Sequence, residues 1–163
     1  MESSSQGAEA EAYRPVGLEL AERDVVASVA TAFASLLPHS DRAQQYTRIA
    51  EAANLGEIPA DLILPLEAML DVLLQPERAA REGGPAAEQV LLSVYRRTPR
   101  GAGLAAAARE VNEALRVLRG QRLAAFRVES RPGRHTVSLE TDSCRFVLRL
   151  DSAGPRLESL EVG

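Results

Sequence analysis

The stretch Leu118-Arg119-Gly120-Gln121-Arg122-Leu123-Ala124-Ala125-Phe126-Arg127-Val128 decides the fold. Before it, apolar residues recur with a helical period; after it, they recur at every second position. Ala124, Phe126 and Val128 alternate with charged or small residues as far as Arg131-Pro132-Gly133-Arg134. Pro followed by Gly suits the central positions of a type II turn. Val137 and Leu139 continue the same face, and Asp142-Ser143 reverses the chain again. Cys144, Phe146, Leu148 and Leu150 form the plainest strand, with Arg145, Val147, Arg149 and Asp151 on its other side. Ser152-Ala153-Gly154-Pro155 leads into a last run from Leu157 to Val162. Short runs joined by short turns predict a four-stranded antiparallel meander with one apolar face and one wet face bearing Arg127, Glu129, Glu140, Arg145 and Arg149.

Working backwards, Leu104, Ala107, Val111, Ala114, Leu115 and Leu118 lie on one side of a helix that Gly120 stops. Alanines 105 to 108 permit close approach of a neighbouring backbone. Thr98-Pro99-Arg100-Gly101 reads as a connector, preceded by a helix from about Ala86 to Arg97 that buries Val90, Leu91, Val94 and Tyr95. Leu62, Leu66, Met69, Leu70 and Leu73 mark another helix, started near Pro59 and kinked or split by Pro65. Ser40 is a good N-cap for a helix whose stripe is Ala43, Tyr46, Ile49, Ala50 and Ala53, and Asn54-Leu55-Gly56 stops it. The first helix places Val25, Val29, Ala32, Phe33, Leu36 and Leu37 on one face and ends at Pro38. The reading is therefore α+β. Residues 1–17 are a flexible acidic tail, 18–120 a region of about five helices, and 121–163 the meander, packed on the helices as one structural unit.

Composition excludes much. The 163 residues are 45% hydrophobic and 26% charged, enough for a globular core and too apolar for wholesale disorder. All 19 basic residues are Arg, which removes Lys Schiff bases, pyridoxal phosphate attachment and the phosphate-gripping Lys of a P-loop. The single cysteine, Cys144, rules out an internal disulfide or a multi-cysteine zinc site. The two histidines, His39 and His135, have no partner at metal-ligand spacing, so no metal and no cofactor is expected. A Cys144–His135 nucleophile pair would need the two to meet across a hairpin, with no cationic cluster beside the thiol. The carboxylate pairs Glu110/Glu113 and Glu67/Asp71 fall outside the apolar stripes of their helices and read as solvated surface. No run is apolar enough to span a membrane, and the polar opening Met1-Glu2-Ser3-Ser4-Ser5 reverses the order of a signal peptide; a cytoplasmic location is expected.

Charge is uneven. Residues 1–77 hold 4 Arg against 13 acids, residues 78–134 hold 12 Arg against 5, and residues 135–163 hold 3 against 5. One explanation is that the acidic and basic segments face each other. The other is an anion-binding or partner-contacting patch of Arg96, Arg97, Arg100, Arg119 and Arg122 beside Tyr95. Only 4% of residues are aromatic and the pI is about 5.3, which disfavours nucleic acid. Arg48 to Ile63 has the outline of a helix-turn-helix, but the would-be recognition helix opens Glu57-Ile58-Pro59-Ala60-Asp61, and those carboxylates repel phosphate. It reads as an ordinary helical hairpin.

No catalytic constellation emerges, so the expected role is non-catalytic: a protein–protein interaction, adaptor or assembly-factor domain, a homodimer among the options. The last strand is the candidate interaction edge, with Leu157, Leu160 and Val162. The alternative is a regulator that binds nucleic acid or another polyanion through segment 78–134.

Overall fold

A computed structural model describes residues 13–37, 40–75 and 84–163 of the chain. Most of the acidic tail, Pro38 with His39, and the charged turn after Gln75 lie outside the described residues. Among the described residues are five α-helices followed by a four-stranded antiparallel sheet, an α+β chain. It divides into two compact units, one ending at Gly101 and the other beginning at Ala102. The boundary falls well before Gln121, so the last helix belongs largely with the sheet.

In the first unit, strand β1 (Val16–Gly17) pairs antiparallel with β2 (Glu57–Ile58), Val16 facing Ile58. Both of those side chains are buried, and the Leu18 amide donates to the Gly56 carbonyl at 2.8 Å. The tail expected over residues 1–17 therefore stops short of Val16, because two apolar side chains, Val16 and Leu18, have a core to enter.

Helix α1 (Leu20–Leu36) buries Glu22, Val26 and Ala30, a column spaced by four residues. This corrects the expected stripe: Val25, Val29 and Phe33 flank the buried column, and Leu36 is exposed. An interior carboxylate lies on the buried face, and hydrophobic periodicity passes over it. Helix α2 (Asp41–Leu55) follows its pattern closely. Ser40 Oγ accepts from the Ala43 amide at 3.2 Å, Tyr46, Ile49, Ala50 and Ala53 are buried, and Gly56 ends the helix at φ +92°. Phe33 and Tyr46 meet edge to face, ring centres 5.4 Å apart.

A 3-10 turn (Ala60–Leu62) leads into α3 (Ile63–Leu73), which buries Ile63, Leu66, Met69, Leu70 and Leu73. Pro65 is the third residue of α3, where its missing N–H would have had no helical partner anyway; the segment divides before it, into the 3-10 turn and α3. Helix α4 (Gly84–Arg97) buries Leu91, Val94 and Tyr95.

Helix α5 (Pro99–Ala114) begins inside the expected connector. Thr98, fully buried, explains why: its hydroxyl donates to the Tyr95 carbonyl at 2.8 Å and accepts from the Gly101 amide at 3.3 Å, as an N-cap does, with Pro99 in the first helical position. The turn is tight enough that a Cβ on Gly101 would lie 1.9 Å from the Tyr95 carbonyl oxygen. Gly101→Ala is expected to lower stability by about 2 kcal/mol, since backbone on both sides must shift. Chemical denaturation measures this, and an unchanged midpoint would contradict the contact.

In the second unit α5 continues into a 3-10 turn (Leu115–Leu118), and strands β3 (Leu123–Arg131), β4 (Arg134–Thr141), β5 (Cys144–Asp151) and β6 (Gly154–Val162) follow in a simple meander, order β3-β4-β5-β6. The register stacks one apolar row across the sheet: Phe126 faces Leu139, Leu139 faces Phe146, and Phe146 faces Leu160. A second row runs from Val128 through Val137 and Leu148 to Leu157. Val111 from α5 packs with Phe146 and Leu148, and Ala114, Leu115, Val137, Leu139 and Leu157 surround them.

Candidate functional site

Polar side chains gather where α4 joins α5. The Glu22 carboxylate, 6% exposed, accepts from Arg97 Nη2 at 2.6 Å, the Glu19 amide at 2.8 Å and Ser93 Oγ at 3.1 Å. Burial pushes this carboxyl up, but the hydrogen bonds and the Arg97 charge outweigh it and hold Glu22 below its usual value. Glu67 is 5% exposed and accepts from the Arg100 amide at 2.8 Å. Asp71 accepts from the Tyr95 hydroxyl at 2.6 Å and pairs with Arg100 Nη1 at 3.1 Å. Burial first, and the Asp71 carboxylate second, push the Tyr95 phenol up to about 12, so it remains a donor.

The expectation that Glu67 and Asp71 are solvated surface is therefore corrected. Each carboxylate takes a hydrogen bond from the α4–α5 junction, which a helical-stripe reading cannot anticipate. Glu110 and Glu113 are exposed as expected, Glu113 pairing with Arg116 at 3.0 Å. Two of the five candidate contact arginines, Arg97 and Arg100, face carboxylates from the acidic segment. Arg96, Arg119 and Arg122 are exposed, the first in one unit and the other two in the second. The charge imbalance is thus partly an internal match between segments 1–77 and 78–134.

Cys144 is buried, its Sγ 3.1 Å from Thr141 Oγ1, and the Thr141 hydroxyl donates to Gln121 Oε1 at 2.7 Å. His135 is exposed, with Nδ1 2.9 Å from Ser130 Oγ. In the β4–β5 register His135 faces Leu150, six residues along β5 from Cys144, or about 20 Å at a strand's rise. A Cys144–His135 pair does not form. Among the described residues no group of His, Cys, Asp and Glu is placed to hold a metal ion, and no helix is long and apolar enough to cross a membrane.

The sheet carries the more telling surface. One helix is about 10 Å across and strands are about 4.8 Å apart, so α5 covers about two strands. The cluster that Val111 of α5 joins takes in side chains of β4, β5 and Leu157 of β6. Every residue of β3 is exposed, with Phe126 at 59% and Val128 at 52%. Two apolar side chains on the core-facing side of the sheet thus lie open beside a strand edge that is unpaired among the described residues. Both β3 and β6 are edges. On β6, Leu157 is half-buried in the core, while Leu160 and Val162 are exposed.

Backbone direction sharpens the contrast. Arg131 faces Arg134 across the two-residue turn and Asp151 faces Gly154 across another. Such closing pairs exchange both hydrogen bonds, after which bonded and unbonded pairs alternate. The N–H and C=O groups of Phe126, Val128 and Ser130 consequently point to the open side of β3. The same count points Pro155, which has no N–H, to the open side of β6, a strand that also carries Glu158 and Glu161. Proline and charge are the usual means of discouraging pairing at an edge. The candidate edge read from the sequence lies on β6; the exposed margin of β3 is an addition from the structure, although Phe126 and Val128 already belong to the expected apolar face. Comparing the width of one helix with that of four strands was the signal available.

No protein-family model, no curated protein and no solved structure matches this chain.

Proposed function

We propose that this chain is a non-catalytic, cytoplasmic interaction module, an adaptor or assembly factor, that engages a protein partner through its C-terminal sheet. The observation that carries the reading is the β3 margin, where exposed Phe126 and Val128 adjoin a strand edge that is unpaired among the described residues. Apolar side chains next to outward-facing amides and carbonyls are what strand addition uses: main-chain bonds supply affinity and the side chains supply selectivity. Polyanion binding through segment 78–134 has weaker support, because Arg97 and Arg100 already face Glu22 and Asp71.

A photo-crosslinking residue in place of Val128 tests this in extract of the native cell. The expected result is a discrete protein adduct, a second copy of the chain included, that Phe126→Asp abolishes. The same crosslinker in place of Arg145, on the wet face of β5, should yield none. Equal capture from both positions, or none from Val128, would overturn the reading.

A further inference from the structure

We propose that the occupant of the β3 margin is a second copy of this chain, joined by antiparallel pairing of β3 with β3 about a two-fold axis at Val128. The inference rests on the interaction reading above and names the partner. Paired residues in adjoining strands share a face, so a register slipped by one residue would place the apolar row of one copy against the charged row of the other. Only registers with a residue on the axis keep Phe126 and Val128 of both copies on one side.

Charge selects among those registers. An axis at Arg127 sets Arg127 against its own counterpart. An axis at Glu129 opposes two glutamates and sets Arg127 against Arg131. With Val128 on the axis, Arg127 of each copy faces Glu129 of the other, twice, and Arg131 faces Ala125. An axis at Phe126 makes no ion pair and runs into the irregularity between Leu123 and Ala125; one at Ser130 overlaps only the strand ends.

The backbone agrees. Val128 points its N–H and C=O outward, as a residue on the axis of a bonded pair must, and Phe126 and Ser130 extend the ladder on each side. The two apolar rows then join into one face across an eight-stranded sheet. Within each copy, Arg127 lies opposite Ser138 and Glu129 opposite Thr136, so neither charge has an opposite charge directly across the strand at home. With Pro155 and the two glutamates at β6, the pairing closes as a dimer instead of propagating.

Sedimentation velocity on the full 17.5 kDa chain, from about 1 to about 100 μM, should show a reversible monomer–dimer equilibrium. Arg127→Glu alone and Glu129→Arg alone each create two like-charge contacts and should weaken dimerisation about tenfold. The double variant R127E/E129R restores opposite charges and should return it to within about threefold of the parent. Both positions are exposed, so thermal unfolding of the monomer serves as the control for folding. A monomer throughout the range, or a dimer whose strength ignores the single changes or is not rescued by the exchange, would overturn the proposal. If the Val128 crosslinker captures a different polypeptide while the purified chain stays monomeric, self-pairing falls and the interaction reading stands. If it captures nothing, both fall.

Discussion

Phe146→Ala is expected to unfold the sheet-bearing unit while α1 to α3 remain folded. Phe146 is fully buried and touches both layers of its unit, facing Leu139 and Leu160 across the sheet and packing with Val111 of α5. Truncating such a side chain costs about 3–5 kcal/mol, the transfer term plus the cavity left behind. A unit this small has little stability to spare, and its buried cluster is only Val111, Phe146 and Leu148. The first unit has a separate interior, with Ile49, Ile58, Ile63, Leu66, Met69 and Leu70 all inaccessible. Hydrogen exchange resolves the two: amides of β4 and β5 should lose protection while those of α2 and α3 keep theirs. Simultaneous loss in both would mean that the chain unfolds as a single cooperative body.

Glu22→Ala is expected to destabilise the first unit by about 2–3 kcal/mol. The substitution removes the acceptor for the Arg97 guanidinium, the Ser93 hydroxyl and the Glu19 amide together. A fully buried pair would lose more, but Arg97 is partly exposed and can turn to water. The pH dependence gives an independent check. Glu22 is held below its ordinary value of 4.5 in the folded chain, so its contribution is complete above that value and is lost as pH falls through the lower, folded one. Urea midpoints of the parent should therefore drop, as pH falls below the ordinary value of 4.5, more steeply than those of Glu22→Gln, which keeps the shape but has no titrating group. Parallel curves would show that Glu22 contributes no charge-dependent stability.

Glu22 also shows where sequence reading stops. Val26 and Ala30 share its column, yet the expected stripe ran one position away, through Val25 and Val29, because a glutamate is placed outside by default. Glu67 and Asp71 misled for the same reason. An interior carboxylate is tolerated only where donors converge on it, and apart from the Glu19 amide these donors come from Ser93, Tyr95, Arg97 and Arg100, more than twenty residues away along the chain. By contrast, the stripe of α2, its Ser40 cap and its Gly56 stop depend on residues within a few positions of one another, and they stand as read. The α5 start at Pro99 has a local signal too, Thr98 followed by Pro, which the connector expected over Thr98–Gly101 does not use.

What the sequence alone determined is the change of period at Gln121, the four strands with their turns, and the apolar row of the first three strands from Phe126 to Leu148. These follow from backbone geometry, in which alternate residues face opposite ways and Pro-Gly reverses the chain. What only the tertiary structure decided is how much of that row is covered. The amount depends on how far one helix reaches across four strands, and no pattern within a strand encodes it. Phe126 and Phe146 have the same chemistry and the same place in the alternation, yet one is 59% exposed and the other fully buried. The difference is set by the position of α5 over the sheet, and it is the reason the β3 margin is exposed.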